Sequence, residues 1–220
     1  MIKAVLFDMD GIMFDTEKIM SKGWQEAAKQ LGFILTDQQM NQMRGSSKAR
    51  NTALFKEWYG DRVNYEEGRR IRSKYQEDYI AANSLPEKPG LHELLQWLKE
   101  QEIPAAVATS TSRKNAERYW DMAGISSLLT ASVCGDEVTY SKPDPEIFLK
   151  AAAKLHVPIE HCLVLEDSIN GLKAAKAAGA VSCMVPDLTP YTQELAPVCD
   201  YVCKSLLECI PLIEKENSVF

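Results

Sequence analysis

Histidine is scarce in this chain: His92, His156 and His161 are the only three in 220 residues. His92 falls in an amphipathic helical stretch and the other two flank Val157-Pro158. No metal-ligand spacing links them, which argues against a His-ligated metal and against a Ser-His-Asp triad. No C-x-x-C pair occurs among Cys134, Cys162, Cys183, Cys199, Cys203 and Cys209. The six are therefore read as buried reduced thiols rather than a zinc framework or a disulfide scaffold. No apolar run reaches the length that spans a bilayer, so no membrane partner is expected. Basic residues are outnumbered, 25 against 31, giving a net charge of −6 and a pI near 5.2. That balance argues against nucleic acid as the main partner. Met1-Ile2-Lys3 leads straight into an apolar run with no room for a signal peptide, so the cytoplasm is the expected compartment. Internal repeats and low-complexity segments are also missing.

What is present is α/β alternation. Ala4-Val5-Leu6-Phe7 reads as a buried strand. Residues 16–87 follow with several helical signals and no convincing strand. From residue 91 onward, helix and strand patterns alternate. Strands are expected at residues 104–108, 129–134, 162–165, 181–185 and 201–202. Helices are expected at 113–124, 144–155, 168–178 and 205–213. Such alternation implies a Rossmann-like, doubly wound parallel sheet with helices on both faces. The helical block is too long for a crossover between neighbouring strands. It reads as a cap domain (16–87) inserted after strand one of a catalytic core (1–15 and 88–220), with residues 86–90 as a hinge. An insertion there overhangs the strand-end cleft and can act as a lid. The block holds twelve basic and ten acidic residues, and the core thirteen and twenty-one. A mildly basic lid over an acidic floor suits an anion held near a cation.

Four short motifs fall at or just after strand ends, where open α/β sheets bind ligands. Asp8-Met9-Asp10-Gly11 follows the first strand. Thr109-Ser110 closes another. Lys142 lies in Ser141-Lys142-Pro143-Asp144-Pro145. Glu166-Asp167-Ser168 ends a fourth. Hydroxyls at a strand-to-helix turn can hold a phosphate through side chain and backbone together. Clustered carboxylates are hard oxygen donors of the kind that select Mg²⁺. Each motif alone is common; their order along the chain is specific.

In these motifs, with Asp15 and Gly171, the chain resembles the haloacid dehalogenase superfamily over essentially its whole length, and within it the capped phosphatases and sugar-phosphate mutases. The resemblance implies Asp8 as nucleophile, forming an aspartyl-phosphate. It implies Asp10 as general acid and base, and Lys142 as the cation that neutralises the nucleophile and phosphoryl oxygens. Thr109 or Ser110 is expected to bind the transferring phosphoryl. Mg²⁺ is expected to sit on Asp8, the backbone carbonyl of Asp10 and Asp167, with Glu166 assisting. Superfamily dehalogenases and phosphonatases lack an acid at the position of Asp10, so Asp10 points to a phosphatase or phosphomutase.

The β-phosphoglucomutases of this superfamily carry a histidine five residues past the aspartate that matches Asp15. Here that position is Met20, which favours hydrolysis of a small phosphate monoester, a sugar phosphate, over mutase chemistry. Residues 44–50 match the mutases' specificity loop in place, with Lys48 and Arg50 available for an anion. The expected partner is a small phosphorylated metabolite, and the expected state a monomer. Trp24, Trp58 and Tyr75 are expected to pack the cap interior.

Overall fold

The computed structural model describes residues 1–218. Six strands form one all-parallel sheet in the order β3-β2-β1-β4-β5-β6. They are β1 (Ala4–Phe7), β2 (Ala105–Ala108), β3 (Ala131–Val133), β4 (Cys162–Glu166), β5 (Val181–Met184) and β6 (Tyr201–Val202). The α/β class is as the alternation implied. The chain runs from β1 outward to β3, then returns to β4 on the other side of β1. The crevice above β1 is thus the point where strand order reverses, the preferred ligand position in such sheets.

Side-chain alternation splits the core into two layers. Val5, Phe7, Val107, Leu163 and Leu165 face one layer, with Leu94, Leu95 and Leu98 of α5 (Leu91–Glu100). Ala4, Leu6, Ala106, Ala108 and Val164 face the other. There they pack on α7 (Glu146–Leu155) and α8 (Ile169–Ala178). Because both faces are covered, the strands read as continuous apolar runs. Helix α6 (Arg113–Met122) flanks β2, and α9 (Cys209–Ser218) closes the described chain.

Between β1 and β2, the chain first builds α1 (Glu17–Leu31), α2 (Asp37–Met43), α3 (Lys48–Tyr59) and α4 (Tyr65–Asn83). These four helices bury an apolar cluster of their own, including Trp24, Met40, Phe55, Tyr65 and Ile71. Local signals account for their ends. Gly32 takes a left-handed φ of 67° after α1, the C-terminal cap that glycine adopts without strain. Thr36 and Gln39 form a reciprocal capping box at α2. The linkers into and out of the block run side by side: Asp15 N–H donates to Pro86 O, and Lys88 N–H to Met13 O.

Three details differ from expectation. The strand expected over 129–134 is limited to Ala131–Val133, behind a 3₁₀ turn at Ser126–Leu128. The terminal helix begins at Cys209 after a separate 3₁₀ turn, Leu206–Glu208. It tolerates Pro211 because a proline in the first helical turn forfeits no intrahelical bond. Tyr75 is expected inside the cap, but α4 buries Tyr65, Gly68, Ile71, Gln76 and Ile80 and leaves Tyr75 half-buried. A Cβ on Gly68 would lie 3.0 Å from Trp24, and one on Gly23 would lie 2.9 Å from Arg72 O. These two glycines let α1 and α4 approach closely and so choose the face. Trp24 packs inside the block and also lines the cavity described next. Trp58 and Tyr75 are half-buried, Trp58 against the block's apolar cluster.

Candidate active site

Asp8 follows β1 directly, and its N–H donates to Leu165 O of β4. That bond continues the sheet ladder one residue past the strand and fixes where the carboxylate emerges. The Asp8 side chain is buried at the floor of a cavity of about 820 Å³. The walls come from the strand-end loops and α6 on one side and from α1, α2, α3, α4 and the loop before α3 on the other.

Lys142 is fully buried and arrives from the loop before α7. Its Nζ donates to Asp8 Oδ1 at 2.5 Å, Glu166 Oε1 at 2.6 Å and Ala108 O at 3.1 Å. All three ammonium protons therefore have acceptors. Burial works against the charged lysine, but Asp8 and Glu166 outweigh it and hold its pKa above the ordinary value. Glu166 is saturated, since its Oε2 accepts from the backbone N–H groups of Asp167 and Ser168 and from the Ser168 hydroxyl. Gly171 makes this possible: a Cβ there would fall 1.7 Å from Glu166 Oε1.

Asp8, Glu166 and Asp167 bring carboxylate oxygens within 4.8 Å of one another. One lysine faces these three carboxylates, and Asp167 Oδ2 is buried without a hydrogen-bond partner. Burial and the neighbouring carboxylates push Asp8 and Asp167 well above the usual carboxylate range, although Lys142 counteracts this at Asp8. An orphaned buried carboxylate oxygen in a hard, all-oxygen cluster fits a small divalent cation such as Mg²⁺. Gly11, at φ 87°, leaves the room this needs, because a Cβ there would lie 2.3 Å from Asp167 Oδ2.

Asp10 stands apart from that cluster. Its Oδ1 accepts from the Thr16 hydroxyl at 2.6 Å, and its Oδ2 from the Thr111 hydroxyl at 2.8 Å. Two hydroxyls from different segments aim one carboxylate that lines the cavity. Thr109 is buried, and its hydroxyl accepts from the Thr111 N–H at 3.1 Å. Ser110 instead spends its hydroxyl on Gly45 O of the helical block, at 2.8 Å. Lys48 lines the cavity but pairs with the exposed Glu66 at 3.0 Å. Arg50 is exposed and is not among the lining residues.

Several lining residues carried no motif to flag them. Arg69 and Arg72 of α4 face the cavity, and neither pairs with a carboxylate among the described residues. Arg72 donates to Gln76 Oε1 at 2.9 Å and leaves Nε buried without a partner. Gln76 in turn donates to the Tyr119 hydroxyl at 3.0 Å, joining the helical block to the sheet domain. The only signal for this row was polar residues at i, i+3 and i+7 on one helix, a spacing shared with any solvated face. Glu17 lines the same space, 3.3 Å from Arg44 Nε. Burial and the nearby Asp10 push its pKa up to about 7, with Arg44 opposing.

Known proteins resemble this chain over most of its length. The family model of haloacid dehalogenase-like hydrolases matches residues 2–179. A phosphorylated carbohydrates phosphatase of Thermotoga maritima is 31% identical over 178 residues, covering 81% of this chain and 82% of its own. A β-phosphoglucomutase of Bacillus subtilis is 32% identical over 185 residues, covering 81% and 80%. The crystal structure of CbbY from Rhodobacter sphaeroides in complex with phosphate superposes with a TM-score of 0.77 at 27% identity, covering 94% and 95%.

Proposed function

From the premise that the chain belongs to the haloacid dehalogenase-like hydrolases, we propose that it is a Mg²⁺-dependent phosphatase of small phosphate monoesters, sugar phosphates above all. The observation that carries this reading is the division of labour between Asp8 and Asp10. Asp8 has one oxygen gripped by Lys142 at the cavity floor. Asp10, two residues on, is aimed into the same cavity by two threonines. On this reading Asp8 serves as nucleophile and Asp10 in proton transfer.

In the first step Asp8 attacks phosphorus, the Asp8 O–P bond forms and the bond to the leaving oxygen breaks. Asp10 delivers its proton to that oxygen, so a neutral alcohol departs. In the second step water attacks the aspartyl-phosphate, Asp10 accepts the water's proton, and inorganic phosphate leaves with Asp8 restored. Lys142 holds positive charge beside the nucleophile throughout. Thr109 and Ser110 line the cavity and would bind the transferring phosphoryl. Asp8, Asp167 and the backbone carbonyl of Asp10 would hold Mg²⁺, with Glu166 orienting Lys142 and the turn after β4. The ion would supply Lewis-acid neutralisation of phosphoryl charge. Residues 16–87 act as a cap that shuts water out of the first step.

The unpaired Arg69 and Arg72 fit an anionic substrate. Met20 lines the cavity and offers no polar group to hold a returning sugar phosphate, which favours hydrolysis over isomerisation. On this reading the enzyme works in the cytoplasm as a monomer. The mutase reading is kept as the alternative because of the Bacillus subtilis relative. A phosphate-release screen over many phosphorylated metabolites, with and without Mg²⁺, tests both. Mg²⁺-dependent release supports the phosphatase. Conversion between hexose 1- and 6-phosphates, primed by a bisphosphate and without net phosphate release, supports the mutase.

A further inference from the structure

Cys183, Cys203 and Cys209 are far apart in sequence and carry no metal-binding spacing, yet the fold collects them. Cys183 lies on β5, Cys203 directly after β6, and Cys209 is the first residue of α9. All three are buried, and their sulfurs lie within 4.8 Å of one another. The surroundings are apolar, with Val185, Leu206 and Ile213 in the same cluster. Among the described residues no carboxylate or imidazole joins the group. Cys203 N–H donates to Met184 O at 2.9 Å, so the β5 and β6 segments hold two of the sulfurs in fixed relation.

We propose that these three thiols form a binding site for a thiophilic closed-shell divalent cation of the zinc group. A metal–thiolate bond of about 2.3 Å puts the sulfurs of a trigonal ion roughly 4.0 Å apart. The three sulfurs therefore need to close by less than about 1 Å around such an ion. All-sulfur donors select soft cations and reject Mg²⁺, which takes oxygen. Charge selects further. Three thiolates around a divalent ion leave one net negative charge, whereas a monovalent ion leaves two, and buried uncompensated charge is costly. Each thiol that binds gives up its proton to solvent as its sulfur–metal bond forms. The bound ion would tie edge strand β6 and helix α9 to β5, sharing no residue with the carboxylate site.

The test uses the full chain, reduced and stripped of metal, in excess Mg²⁺ to occupy the oxygen-ligand site. Cd²⁺ is the probe, because thiolate ligation gives a near-ultraviolet charge-transfer band. The expected result is a band that saturates at one Cd²⁺ per chain, with proton release and a raised Tm. Alkylation during partial unfolding should then spare Cys183, Cys203 and Cys209 while modifying Cys134, Cys162 and Cys199. Cys203→Ala should abolish the band, and Cys134→Ala should leave it unchanged. No saturating band, or a band that survives in folded Cys203→Ala, overturns the site. Should that variant not fold, the alkylation pattern of the parent protein decides: equal modification of all six thiols with and without Cd²⁺ overturns it as well.

Discussion

Gly171 sits so close beneath Glu166 that a single added methyl carbon would lie 1.7 Å from the glutamate's Oε1. No rotamer change on the added Cβ can relieve that, because a Cβ is fixed by the backbone. Glu166 would have to leave Lys142 and the three donors that hold its other oxygen. Gly171→Ala is expected to abolish phosphatase activity and lower stability by about 2–4 kcal/mol, as overpacking and a broken buried network combine. Chemical denaturation beside the activity assay checks it; a variant of parental stability would show that the turn can move freely.

Lys142 answers two carboxylates at once. Removing it as Lys142→Met leaves Asp8 and Glu166 buried without their cation, a loss of about 3–5 kcal/mol where the pair cannot rearrange. Activity should vanish as well. Mg²⁺ should restore part of the stability of Lys142→Met, since it can take up some of the unpaired charge. Thermal melts with and without Mg²⁺ measure this, and an identical melting temperature in both buffers would count against it.

Thr111 is expected to act as a positioning residue for Asp10. Thr111→Val keeps the shape and removes the hydroxyl that donates to Asp10 Oδ2. Loss of one such bond is worth about 1–1.5 kcal/mol, so kcat should fall roughly 10-fold with KM little changed. Thr111→Ser should recover most of the rate. A Thr111→Val defect confined to KM would mean that the hydroxyl serves substrate instead.

Glu17 gives a pH dependence with a defined sign. Its carboxyl is pushed up to about 7 in the fold from an ordinary 4.5. Between those values the folded protein keeps a proton that the unfolded chain has released, so stability falls as pH rises. The full loss is about 3 kcal/mol and is reached above pH 7. Glu17→Gln stays neutral throughout. Its Tm should match the parent's shift below pH 4.5, gain on it through the window, and hold a constant advantage above. Parallel curves from pH 4 to 8 would refute the assignment.

Much of this was readable in the sequence because strand ends are short-range features. An apolar run followed by Asp8-x-Asp10, or by Glu166-Asp167, fixes its own geometry within a few residues. Lys142 was legible only through its order among the motifs, since nothing local distinguishes it from a surface lysine. Arg72 and Gln76 were not legible, because α4 turns its inner face by way of Gly68 and Gly23, and those contacts join residues more than forty apart. The thiol trio escaped for the same reason: the register of β5 against β6 brings Cys183 and Cys203 together, and no spacing in the chain encodes it.

Everything in the proposed chemistry passes through a covalent bond on Asp8. The most direct measurement quenches the enzyme during turnover of a hydrolysed phosphate ester, reduces the acyl-phosphate with borohydride, and sequences the peptide by mass spectrometry. The account predicts homoserine at position 8, only when substrate is present, and no phosphate release from Asp8→Asn. Undiminished turnover by Asp8→Asn, or a trapped phosphoryl on another residue, would contradict it.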